Sequence, residues 1–147
     1  MSLINELRAK SMQAEASKND VVAEIKNAFD GYLSSDKFEN YLRNKAGAEE
    51  IKNRKLYVNV EFWAYHSGCS TTHFSCGGYT WYNPENRDGW ESHKYKGIDL
   101  STIDKEVCNY VSARLKSRMN ELGFYLVSTE NASGRLNYYH TLFYFGW

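Results

Sequence analysis

The spacing of apolar residues changes once along this chain, at Leu56. Before it, Ile4, Leu7, Ala14, Val21, Ile25, Ala28 and Tyr32 recur at helical intervals, with Ser11 and Lys18 interrupting the stripe. Asn19-Asp20 is a potential cap, so the pattern predicts either two helices, Leu3–Ala16 and Val21–Leu33, or one long broken helix. A shorter helix is expected from Ser35 through Asn44, ended by Gly47. So narrow a stripe suits a helix pair or an oligomer contact better than a deep core.

From Leu56 the period becomes two. Leu56, Val58, Val60, Phe62 and Ala64 share one face of a strand, and Tyr57, Asn59, Glu61, Trp63 and Tyr65 the other. A second strand covers Thr71–Phe74 and Tyr79–Tyr82, with a bulge at Gly77-Gly78. A polar loop follows from Asn83 to Lys96 and holds the only proline, Pro84. The next predicted element is a helix over Ser101–Leu122, opened by a Ser101/Asp104 capping box and closed by Gly123. Phe124–Ser128 and Leu136–Trp147 read as two more strands with a turn between them. The expected fold is therefore α+β. N-terminal helices (1–54) precede a β-β-α-β-β unit (55–147), in which one long helix packs on a four-stranded antiparallel sheet, all within one domain.

Composition narrows the functional classes. Lys+Arg and Asp+Glu are equal at 18 each, so no global field draws the chain to duplex nucleic acid or an anionic membrane. No apolar run approaches the length that spans a bilayer. Three cysteines and no leader-like segment make a reducing cytoplasm the expected compartment. A small chain rich in Asn, Lys and Tyr, with one Pro, has the composition of phage or mobile-element accessory proteins, which often inhibit or sequester host components.

Four sets of residues could carry chemistry. His66, Cys69, His73 and Cys76 have zinc-ligand chemistry, but the three-residue gap between the pairs is cramped for a tetrahedral ion, and a packed hairpin is the better reading. A Cys nucleophile using Cys69 or Cys76 with a nearby His has no supporting local motif. The late helix is more informative. Its apolar stripe, taken as Ile103, Val107, Tyr110, Val111, Leu115 and Leu122, includes Arg114 and Arg118, four residues apart. Unpaired guanidinium groups are seldom buried, so these either pair with an acid such as Glu61 or Asp104, or form an anion site. Aromatic Tyr57, Trp63 and Tyr65, with Trp90 in the polar loop, could stack on a base or anchor a partner.

The leading expectation is a non-enzymatic protein that binds a phosphate-bearing small molecule or nucleotide through Arg114, Arg118 and the aromatic strands. An inhibitor or adaptor docking on a host protein through the aromatic sheet face is the alternative. A small metal- or Cys-dependent enzyme is third. The last strand is aromatic on both faces, which points to a homo-oligomer.

Overall fold

The structure is a computed structural model that describes residues 2–63, 73–77, 79–82, 94–132 and 137–147. At Trp63, His73, 79–82, 94–95 and 137–138 the description is of the backbone. The predicted break at Asn19-Asp20 does not occur, and α1 runs unbroken from Leu3 to Leu33. Both residues are exposed mid-helix, and no Gly or Pro is present there to interrupt the backbone hydrogen bonds. Two short helices follow, α2 (Asp36–Lys45) and α3 (Ala48–Asn53). Gly47 does not simply end α2, because its extended backbone also starts α3, a helix the sequence pattern did not predict.

Strand β1 (Lys55–Trp63) is central. It pairs with β2 (His73–Cys76) on one side and β7 (Asn137–Gly146) on the other, and β3 (Tyr79–Tyr82) and β6 (Tyr125–Asn131) form the edges. Every pairing is antiparallel. A separate small ribbon joins β4 (Lys94–Tyr95) to β5 (Ile98–Asp99). The expected α+β layout of N-terminal helices, antiparallel sheet and packed long helix is present. The sheet gains one strand because the segment read as a single bulged strand turns back at Gly77, whose φ of +62° lies in the left-handed region.

The long helix, α4, spans Asp104–Glu121. Its start differs from the predicted capping box: a 3-10 turn over Leu100–Thr102 comes first, and the Asp99 carboxylate accepts from the Ser101 N–H at 2.9 Å. Gly123, at φ +97°, follows the helix as expected.

Alternation along β1 sends Leu56, Val58, Val60 and Phe62 into a core shared with Phe74, Cys76, Phe143 and Phe145 of neighbouring strands. Val107, Cys108, Val111, Leu115 and Met119 of α4 cover this face. Val21, Ile25, Phe29 and Leu33 of α1, with Phe38 and Leu42 of α2, complete the same core. The N-terminal helices therefore supply part of the layer that buries the sheet. By contrast, every residue of α1 from Leu3 to Ser17 is exposed.

Candidate functional site

Arg114 and Arg118 lie on the border of the buried face of α4, not in its centre. The buried stripe includes Cys108, Ser112 and Met119, and this turns the contact face away from Tyr110. Both guanidinium groups then meet the protein's own carboxylates. Arg114 Nε donates to Asp30 Oδ1 at 3.2 Å, and the Tyr110 hydroxyl donates to Asp30 Oδ2 at 2.7 Å. The hydrogen bond to Asp30 holds the Tyr110 phenol above its ordinary value, with some help from desolvation. Arg118 donates through Nη1 to Glu121 at 3.2 Å and pairs through Nη2 with Glu39 at 3.9 Å. Its Nε is enclosed with no partner. The partners are thus Asp30, Glu39 and Glu121, not Glu61 or Asp104. Each guanidinium thus has an internal acidic partner, and the pair clasps α4 to α1 and α2.

The Arg pair and the aromatic strand face are not brought together. The arginines belong to the helical layer, whereas Tyr57 lies on the opposite face of β1 and Trp63 occupies a register position on that same far face. One face of the Tyr57 ring is already used, because Lys45 Nζ sits 3.6 Å from its centroid. Tyr144 lies beside it at 5.9 Å. Tyr65 and Trp90 lie outside the described residues, as do His66 and Cys69.

The Cys76 side chain is fully buried in the apolar core, opposite Val60, and burial pushes its thiol well above its ordinary value. Cys76 therefore packs as part of the sheet's apolar core. His73 sits across from Trp63 in the register, three positions from Cys76 and so on the other face of the strand. Among the described residues, no group of three His, Cys, Asp or Glu is placed to hold a metal. Cys108 is a core thiol of the same kind.

Two arrangements were not read from the sequence. On the far face of the sheet, Asn59 Nδ2 donates to Glu61 Oε1, and His140 Nε2 lies 3.3 Å from the same oxygen. The register pairs Glu61 with His140 directly, so this cluster follows from strand alignment and not from local sequence. The second arrangement is a pocket of about 370 Å³ where α2, the start of β1 and the α4–β6 turn converge. Leu42, Ala46, Leu56, Leu122, Phe124 and Trp147 form its apolar lining, and Glu39 and Arg43 are its charged members. Phe124 and Trp147 meet edge to face at 5.6 Å. The Trp147 backbone N–H donates to the Arg54 carbonyl at 3.3 Å, which anchors the chain at this wall.

No family model, curated protein or solved structure matches the chain. The pocket must be interpreted from its own chemistry. Its volume lies at the lower end of ordinary small-molecule sites, and an apolar lining with few polar groups is what such sites show. Its two charges are not equivalent. Glu39 is paired with Arg118, whereas Arg43 hydrogen-bonds the neutral Asn40 side chain at 2.9 Å. Among the described residues no helix is long and apolar enough to cross a membrane.

Proposed function

We propose that this is a binding protein without a catalytic step, and that its ligand is a compact molecule with an apolar or aromatic body and one anionic group. The body enters the pocket bounded by Leu42, Leu122, Phe124 and Trp147, and Arg43 at the rim meets the anion, a carboxylate or a phosphate ester. This keeps the anionic small-molecule class expected from the sequence, but moves the recognising cation from Arg114 and Arg118 to Arg43. The observation that carries the reading is the difference in pairing: the two helix arginines are matched by Asp30, Glu39 and Glu121, whereas among the described residues Arg43 has only an amide partner.

Thermal shift with matched pairs of ligands tests it, each aromatic or short-chain acid run against its neutral amide or alcohol. A ligand that binds only the folded state raises the melting temperature. Ala46→Leu, which fills the pocket, should abolish that rise without lowering the melting temperature of the free protein. Arg43→Ala should remove the preference for the acid over its neutral partner. Stabilisation that survives Ala46→Leu would sink the proposal.

A second reading is favoured by β6. It is an edge strand exposed along its whole length, with Tyr125, Leu126 and Val127 at 59%, 42% and 48% exposure. A partner protein that adds a strand there would fit the docking-protein alternative. Leu126→Lys with Val127→Glu should then abolish capture of that partner while leaving ligand stabilisation unchanged.

A further inference from the structure

The apolar stripe that α1 packs on the core does not stop where the core stops. At about 100° per residue, Leu3, Ile4 and Leu7 lie on the same line as Val21, Ile25 and Phe29. The latter three are buried, while Leu3, Ile4 and Leu7 are 66%, 55% and 49% exposed. From Ile4 to Val21 the bare stripe runs for about 25 Å at 1.5 Å per residue. A helix of this length with no tertiary contact is marginal in water, so it needs a covering surface.

Charge on the borders of the stripe specifies the cover. With Ile4, Leu7, Ser11, Ala14 and Lys18 as the seam, Arg8 and Glu15 flank one side, and Lys10 and Ser17 flank the other. Neither Arg8 nor Glu15 has an ion-pair partner among the described residues. If a second α1 runs antiparallel, with Ser11 level with Ala14 of the partner subunit, Arg8 meets Glu15 of the partner subunit, and the symmetry repeats the pair. Shifting the register by one heptad toward the N-terminus sets Arg8 against Arg8 of the partner subunit, so charge selects the first alignment. Packing excludes the parallel arrangement. Because the stripe points to the side on which each core sits, parallel helices would drive two cores into the same space beyond Val21. Antiparallel helices place the cores at opposite ends.

We propose that a second copy of this chain covers the bare stripe of α1. The two helices run antiparallel, in the register that pairs Arg8 of each with Glu15 of the other. The seam is short, with Ser11 and Lys18 in it, so the dimer is concentration-dependent. This inference is independent of the pocket, which uses no residue of the arm.

Sedimentation velocity over a concentration series tests it, with far-UV circular dichroism confirming the fold of each variant. Wild-type protein should pass from monomer to dimer. Arg8→Glu and Glu15→Arg should each weaken the dimer by about tenfold or more, because two attractions become two repulsions. An equimolar mixture of the two variants should restore association, since every facing pair is again opposite in charge. Lys10→Glu, which would affect only a parallel pair, should change little. A wild-type chain that stays monomeric throughout overturns the proposal. So does a dimer indifferent to Arg8→Glu, or a mixture that does not recover.

Discussion

Replacing Arg114 by alanine distinguishes an internal clasp from an anion site. Arg114 and Asp30 sit at 3.2 Å with side chains 39% and 36% exposed, so solvent screens much of their attraction. A pair of that exposure contributes about 0.2–1 kcal/mol. The Tyr110 hydrogen bond to the same carboxylate adds about 1 kcal/mol, below the range for bonds to a charged group because it too is solvated. Asp30→Ala removes both and should cost about 1–2 kcal/mol, a fall in melting temperature of roughly 3–6 °C for a chain of this size. Arg114→Ala should cost about 0.5–1 kcal/mol, and Tyr110→Phe about 1 kcal/mol. Urea denaturation of the two single variants and the double should show coupling, because both groups rest on one carboxylate. If Arg114→Ala left stability unchanged but eliminated stabilisation by an anionic ligand, the clasp would be refuted and the guanidinium would be the ligand's partner.

The same clasp has a pH signature. The Tyr110 pKa is raised in the folded state above its ordinary 10.0, so its contribution is complete below that value and is lost as pH rises through the folded pKa. The stability gap between wild type and Tyr110→Phe, measured by urea denaturation, should therefore be constant up to about pH 9 and close in more alkaline buffer. Cys76 and Cys108, buried with thiols held well above their ordinary values, should react with a thiol reagent only as the protein unfolds, read in a Cys69→Ser background. Gly77→Ala should destabilise by about 2 kcal/mol or more, because a Cβ there adds left-handed strain and would lie 2.6 Å from the Tyr41 ring. Tyr41→Ala in the same chain should recover the steric part of that loss, measured as a smaller cost of Gly77→Ala by urea denaturation.

The alternation of Leu56, Val58, Val60 and Phe62 placed the central strand and its buried face correctly, because a strand between two partners keeps its period of two. The long helix was legible for a similar reason, but its rotation was not. Ser112 is buried with its hydroxyl bonded to the Cys108 carbonyl, and a polar residue satisfied in that way looks like solvent-facing sequence. Leaving out Ser112, Cys108 and Met119 moved Arg114 and Arg118 too far into the stripe. Asp30 and Glu39 could not be named as their partners, since 84 residues separate Asp30 from Arg114 and only tertiary packing joins them. The pocket around Trp147 was invisible for the same reason. Its walls come from four separate elements and turns, and none of those segments is unusual alone.

The unbroken run of α1 has a practical use in protein engineering. Once a second copy covers the exposed arm, a reporter joined ahead of Leu3 through continuous helical sequence would inherit the orientation of the folded body, with no swivel between them. Each residue added to such a joint would advance the reporter by about 1.5 Å and turn it by about 100°. A small set of linker lengths would therefore place it at chosen azimuths around the helix axis.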